Sequence, residues 1–380
     1  MVEERKLTWK GKNLVNPISL FVGKVINVIT SSYGIQIKLE GRNLINGTNH
    51  TLLLSEIETN INYSVSILKN LNHIEEGDIL LVKENNIRSL FRKNSNNNSI
   101  FATIRCNSNC LMCSQPPLDI DDTKENYIIW DYAIELMPEE LEFIGFTGGE
   151  PTLLEEYLIL LINKLLIRYP NIIIDILSNG RLQATNDYCK VLEKIIDPKR
   201  VVFAIPLYSD IYNIHDYIVQ SKDAFYQTIL GIHNMAELGF LIEIRVVLHK
   251  ISIERLEELA KYIHKNFPFI YHITFMGLEI IGYTKANKDV LIIDDINHTN
   301  QILEKAVLYL DKWNYNTSIY NTPLCHLPTN LRKYAKQSIS DWKNSFHNEC
   351  TSCLLKSECA GFFSWNIKNS HVKPITEVEV

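Results

Sequence analysis

The chain is predicted to be an α/β protein: a parallel sheet of βα units, preceded by a small β-rich module and followed by a cysteine-rich C-terminal extension. Three observations predict it. From about residue 100, short β-branched apolar runs alternate with longer amphipathic stretches. Before that point, short apolar runs are punctuated by turn residues. Beyond residue 320 lie four of the eight cysteines. The expected boundaries are 1–95 for the module, 96–290 for the βα core and 291–380 for the extension.

In the module, "LFVGKVINVIT", "YGIQIKLEG", "HTLLLSEI" and "GDILLVKENNIRSLF" read as strands, with a hairpin turn at Glu84-Asn85-Asn86. The polar, Asn-rich "RKNSNNNS", Arg92 to Ser99, is the best linker candidate. Six strand-like runs follow: "IFATIR", "LEFIGFTG", "IIIDILSNG", "VVFAIPLY", "LIEIRVVLHK" and "YHITFMGLE". Between the last two, Ser252 to Phe267 places Ile253, Leu256, Leu259, Ala260 and Ile263 on one helical face. Strands at intervals of roughly 30 to 40 residues imply βα units, and right-handed crossovers either curl such a sheet toward a barrel or wind it open.

Composition narrows the function. The chain has 380 residues, 46% hydrophobic and 22% charged, as a water-soluble globular protein has. A net charge of -6 carries no basic footprint, so neither nucleic acid nor a membrane surface is an expected partner. "MVEERKLTWKGKN" lacks the apolar centre of a signal peptide, and Asn163 and Lys164 interrupt the most apolar stretch. The expected location is the cytoplasm, where thiols stay reduced.

That bears on "RCNSNCLMCSQPP", which spaces Cys106, Cys110 and Cys113 as C-x3-C-x2-C. With eight cysteines in the chain, a prescribed triple spacing arises by chance only about 0.004 times. Disulfides need pairs and an oxidising compartment, and structural zinc needs four closed ligands. A cubic iron–sulfur cluster on three cysteines would keep one iron open. Spacing alone does not choose the metal. Ligands gather at the carboxyl ends of parallel strands, and three polar loops fall there: the cysteine loop, "TGGEP" (Thr147 to Pro151) and "SNG" (Ser178 to Gly180). Each glycine-bearing loop alone also suits an ordinary tight turn.

Together these residues resemble the radical S-adenosylmethionine (radical SAM) superfamily over about residues 100 to 285. The resemblance implies a partial (β/α)6 barrel of radical SAM type. It also implies a 4Fe-4S cluster on Cys106, Cys110 and Cys113, whose unique iron binds the amino and carboxylate groups of SAM. Reductive cleavage of SAM would then yield a 5'-deoxyadenosyl radical that removes hydrogen from a substrate. By position, Gly148, Gly149 and Glu150, followed by Pro151, are expected at the SAM amino group, Ser178 and Asn179 near the ribose, and Arg245 at the SAM carboxylate. Arg245 equally suits a strand-end salt bridge. Glu279, in "MGLE", is a candidate substrate or SAM contact, with a surface carboxylate as the alternative. Met112 replaces the usual aromatic before the third cysteine, and Pro206 stands where a serine often ends strand four.

"CTSCLLKSEC" supplies Cys350, Cys353 and Cys359, with Cys325 upstream in "NTPLCHLP". Four thiolates suit a complete auxiliary 4Fe-4S cluster, as in the extensions of peptide-modifying radical SAM enzymes; a four-cysteine zinc site has the same ligand count. Cys189 reads as a buried or inert thiol, and His326 as a turn residue. Tyr208, Asp210 and His215 cluster after strand four, where "NIHD" also suits a helix start.

A narrower resemblance rests on "CLMCSQPP", "IPLYSD", "IHDYIVQ", "GLEIIGY", "SISDWKN" and "CAGFF", which together resemble the HxsC-type radical SAM maturases of His-Xaa-Ser repeat peptide systems. It implies a precursor peptide or small-protein substrate, a partner radical SAM protein and an external low-potential electron donor. Two other readings stay open: a radical SAM enzyme acting on a small metabolite, and a non-catalytic metal-cluster scaffold subunit.

Overall fold

Seven strands form one all-parallel sheet whose spatial order is the chain order. They are Ser99–Phe101, Phe143–Thr147, Ile173–Leu177, Val201–Pro206, Leu241–Leu248, His272–Gly277 and Thr317–Tyr320. The computed structural model describes residues 7–16, 19–367 and 370–377, so residues 1–6 of the N-terminal stretch read above lie outside it. The sheet order never reverses, as it would at the switch point of a doubly wound sheet. Right-handed crossovers therefore put the helices on one face, and the sheet curls with its other face inward. The first six strands are those read from the sequence; the seventh, Thr317–Tyr320, extends the sheet past them and pairs with Ile273 to Met276.

Period-two alternation sorts the strand residues. Ile174, Ile176, Phe203, Ile244 and Phe275 are buried in the main core with the helices. Their neighbours Asp175, Glu243, Arg245, His272 and Thr274 form a hydrogen-bonded set on the opposite, inner face. The helical reading of Ser252 to Phe267 resolves into Lys250–Ile253 and Leu256–Asn266, and Ile253, Leu256, Leu259, Ala260 and Ile263 are all buried.

Among the described residues the N-terminal sheet has eight strands, and its central ones are buried on both faces. Leu20, Val22, Ile79 and Leu81 join the main core, while Phe21, Val25, Leu80 and Val82 join a core of the module's own. Helix Thr123–Leu136 packs on strands Phe21–Ser31 and Ile79–Lys83 and carries the first face across to the parallel sheet. The hairpin turn is tight: Lys83 pairs with Asn86, and Glu84 has φ 55°. The Asn-rich stretch is a closed loop, since Asn98 Oδ1 accepts from Arg92 N and its Nδ2 donates to Arg92 O and Ser95 O, all at 2.9 Å. Among the described residues, no helix is long and apolar enough to cross a membrane.

Candidate active site

The cysteine loop leaves the first strand and is gripped from four sides. At its entrance, Asp122, just before helix Thr123–Leu136, accepts from Thr103 Oγ1 and from Ile104 N at 3.1 Å. On a second side the glycine pair of "TGGEP" lies backbone to backbone against it. Gly149 N donates to Thr103 O at 2.7 Å and Glu150 N to Arg105 O at 2.8 Å. A Cβ on Gly149 would stand 1.9 Å from Arg105 O, and one on Gly148, at φ 132°, would stand 2.5 Å from Thr103 O. These glycines permit a contact that no side chain would allow.

On a third side, Asn109 N and Leu111 N donate to Val219 O and Ile218 O at the end of helix Tyr212–Val219. On the fourth, the turn after "GLEIIGY" covers three successive loop carbonyls. Tyr283 N donates to Cys113 O at 2.9 Å, Thr284 Oγ1 to Met112 O at 3.2 Å, and Asn287 Nδ2 to Leu111 O at 2.9 Å. Gly282 at φ 53° makes that approach possible, for a Cβ there would meet Cys113 O at 2.4 Å. Met112 is itself buried among Tyr208, Ile218, Val219 and Leu291.

Glu150 is 1% exposed, and its carboxylate ties the second rim loop to the third. It accepts from Thr152 N (3.1 Å), Thr152 Oγ1 (2.6 Å), Ser178 Oγ (2.8 Å) and Asn179 N (2.7 Å). Burial pushes this carboxyl up, while those donors pull it down. Both oxygens serve the chain's own donors, so the side chain orders the rim. Ser178 Oγ also accepts from Gly180 N and Gln183 Nε2, both at 3.1 Å, and Asn179 Nδ2 lies 3.9 Å from Cys106 Sγ. Pro151 opens a short buried turn, Pro151–Leu154.

Burial pushes the Cys106 and Cys110 thiols up to about 12, with Glu150 adding to the effect at Cys106, and raises Cys113 as well. Left bare, the loop holds neutral thiols; thiolates form there only against compensating positive charge, as metal binding supplies. Among the described residues, no three His, Cys, Asp or Glu side chains gather as a single metal ion requires. Three thiols on one gripped loop fit the donor set of a cubane, in which each thiolate takes its own iron.

Arg245 lies mid-strand, with its guanidinium forked between Glu243 and Asp175 (Nη2 to Oδ2, 2.9 Å). It reaches across the intervening strand, on which Arg245 pairs with Pro206 and Asp175 with Val202. Glu243 in turn meets His272 Nδ1 at 2.7 Å, and His272 Nε2 meets Ser318 Oγ at 2.9 Å. Pro206 ends its strand opposite Arg245. Glu279 pairs with Lys343 Nζ at 3.1 Å, and both side chains are largely buried. Tyr208 N donates to His215 Nδ1 at 3.4 Å, while Asp210 accepts a bidentate pair from Arg255 Nε and Nη2 at 2.7 and 2.6 Å.

In the C-terminal set the Cys350 thiol lies within electrostatic reach of Cys325, Cys353 and Cys359, and Cys325 within reach of Cys359. Leu324 N and Gly361 N each donate to Cys359 Sγ at 3.4 Å. His326 is turned to His371 O at 2.6 Å. Half-buried Cys189 donates to Gln183 O at 3.4 Å.

Sequence reasoning missed Arg181, which bonds the cysteine loop at Asn107 O and Ser108 Oγ. Its only signal was a cation placed directly after "SNG". It also missed the turn over the loop carbonyls, since backbone acceptors carry no residue signature.

The Radical SAM superfamily model matches residues 100–263. No curated protein matches the chain. Among solved structures, Streptococcus suis SuiB bound to S-adenosylmethionine is 19% identical, with a TM-score of 0.45 over 58% of this chain and 49% of that one. SuiB bound to precursor peptide SuiA is 17% identical, with a TM-score of 0.44 over 58% and 47%. A radical SAM methyltransferase from Sphaerobacter thermophilus is 12% identical, with a TM-score of 0.42 over 79% and 77%. The chain thus spans about half the length of SuiB. Residues 100–263, which carry the three-cysteine loop at the rim of the parallel sheet, are thus a radical SAM superfamily domain.

Proposed function

We propose that the chain is a peptide maturase of the HxsC type, acting on a precursor peptide or small protein, with SAM and a 4Fe-4S cluster at Cys106, Cys110 and Cys113 and an auxiliary 4Fe-4S cluster at Cys325, Cys350, Cys353 and Cys359. One observation carries the reading. The motifs behind the narrower resemblance lie far apart in sequence yet touch in series. "GLEIIGY" leads into the turn that covers the carbonyls of "CLMCSQPP"; its Glu279 pairs with Lys343 of "SISDWKN". Asn344 of that segment donates to Ala360 O, and Ser345 pairs with Phe362 of "CAGFF", next to Cys359. An unbroken chain of contacts runs from the three-cysteine loop to the four-cysteine set.

When bound, the cluster supplies the electron that splits SAM into methionine and the hydrogen-abstracting 5'-deoxyadenosyl radical. The residues here position the partners. With the Glu150 carboxylate committed to Thr152, Ser178 and Asn179, the carbonyls of Gly148 and Gly149 are the acceptors for the SAM ammonium, and Asn179 faces the ribose. In this reading residues 1–95 and 96–290 are module and barrel, and 291–380 are an extension that first gives the sheet its seventh strand, Thr317–Tyr320, and then the auxiliary cysteines. An external low-potential donor and a partner radical SAM protein complete the system, in the cytoplasm.

The test is anaerobic reconstitution, followed by iron counting, a 5'-deoxyadenosine assay and titration with the cognate precursor peptide. About eight irons per chain, SAM cleavage and saturable peptide binding support the proposal. Absence of peptide binding, even with the partner proteins present, refutes the maturase reading.

A further inference from the structure

Arg181 reaches from the third rim loop back to the cysteine loop. Its Nη1 donates to Asn107 O and to Ser108 Oγ at 3.0 Å, while Nε is anchored on Gln227 Oε1 at 2.7 Å. Gln227 belongs to helix Ala224–Glu237, so the guanidinium is braced from behind. Asn179 Nδ2 adds a second bond from the same rim loop, to Asn107 Oδ1. The segment between the first two cysteines is thus tied to the rim by side chains, whereas the stretch from Leu111 to Cys113 is tied by backbone carbonyls.

Charge points the same way. The Glu150 carboxylate acts on Cys106 with negative sign, and the Arg181 guanidinium acts on Cys106 and Cys110 with positive sign. Three thiolates beside a buried carboxylate concentrate negative charge where the dielectric is low. An Arg can bond three acceptors on two edges and keep its charge; a Lys keeps only the charge.

We propose that Arg181 is a positioning residue, which clamps Asn107 and Ser108 between the first two cluster cysteines and supplies the cation that offsets Glu150, so that the cluster's reduction potential stays within reach of its donor. The charge half rests on the radical SAM reading; the clamp half does not.

Two variants separate the halves: Arg181→Gln removes the charge, and Arg181→Lys keeps it without the fork. The first measurement is hydrogen exchange in the apoprotein, followed by mass spectrometry. Peptides covering residues 104–113 exchange about tenfold faster in both variants, while those covering 186–192 exchange as in the wild type. Unchanged exchange at 104–113 overturns the clamp. The second is an EPR-monitored redox titration of the reconstituted protein. Loss of the cation lowers the equilibrium constant for one-electron reduction about tenfold in Arg181→Gln, or about 59 mV, and Arg181→Lys stays within about threefold of wild type. An unchanged potential in Arg181→Gln overturns the charge half. If Arg181→Gln loads no iron while Arg181→Lys does, the charge is needed already for assembly, which supports it; if neither loads, the potential half is overturned and exchange alone decides the clamp. A wild type that loads no iron refutes the radical SAM reading, and the exchange result still decides the clamp.

Discussion

Replacing Gly149 by Ala tests whether the second rim loop really seats the cysteine loop. The new Cβ would lie 1.9 Å from Arg105 O, and ordinary contact begins at 3.4 Å, so the two backbones must part by about 1.5 Å. That displacement stretches Gly149 N to Thr103 O from 2.7 Å to about 4.2 Å and Glu150 N to Arg105 O from 2.8 Å to about 4.3 Å. Both bonds are then lost. Two buried backbone bonds at about 1 kcal/mol each, plus the desolvation of groups left unpaired, come to about 2–5 kcal/mol. For a chain of 380 residues, whose unfolding entropy is about 0.8 kcal/mol/K, that lowers the melting temperature by about 3–6 °C. Gly145→Ala is the control, because its Cβ would meet nothing nearer than 3.6 Å. Thermal denaturation of the apoprotein and iron content after reconstitution report the effect. Gly149→Ala should melt early and load little iron, and Gly145→Ala should do neither. A Gly149→Ala protein with wild-type melting, full iron and full SAM cleavage refutes the reasoning.

Three further outcomes are expected. Cys353→Ala should lower the iron content from about eight to about four per chain while 5'-deoxyadenosine formation without peptide persists; an unchanged iron count removes the auxiliary cluster. Burial, with the Arg181 charge adding, holds the His215 imidazole down to about 3, below its unfolded value of about 6.5. The unfolded chain therefore takes up a proton that the folded chain refuses, and stability is lost as pH falls from about 6.5 toward 3: about 2 kcal/mol by pH 5. His215→Gln should flatten the melting-temperature profile between pH 7 and 5, and a profile parallel to wild type rejects this. A double-mutant cycle on Lys343→Met and Glu279→Gln should return a coupling of about 1–2 kcal/mol, because both side chains are mostly out of water; additivity would show that the contact joins nothing.

Features with a local signature were the legible ones. The six strands announced themselves because each is buried on its helical face and carries β-branched residues there. "TSIY" did not: four residues with one large aliphatic among them look like a loop, and Thr317–Tyr320 becomes a strand only because Ile273 to Met276 offers an edge. The helix read over Ser252 to Phe267 breaks near Glu254, yet its apolar face is the one expected, since periodicity reports burial better than continuity. Cys106, Cys110 and Cys113 were legible because thiolate spacing is rare. The three-way tie between Glu150, Ser178 and Asn179 was not, because it depends on two strand ends meeting. Arg245 shows the same limit: its charge was visible, while its two carboxylate partners come from other positions on the sheet.

The alternation of Leu20, Val22, Ile79 and Leu81 with Phe21, Val25, Leu80 and Val82 makes the N-terminal sheet a party wall. One side closes a small room of its own; the other is a plastered surface of the main hall, shared with Ile129, Trp130 and Ala133. Each large apolar side chain uncovered on such a surface costs about 1.5–3 kcal/mol. Demolition from residue 96 would bare several at once. The remaining chain would be sticky before it was inactive, and a truncation that abolished turnover would say nothing about whether the module handles substrate. Surface substitutions on the strands, with the wall left standing, are the way to ask what it does.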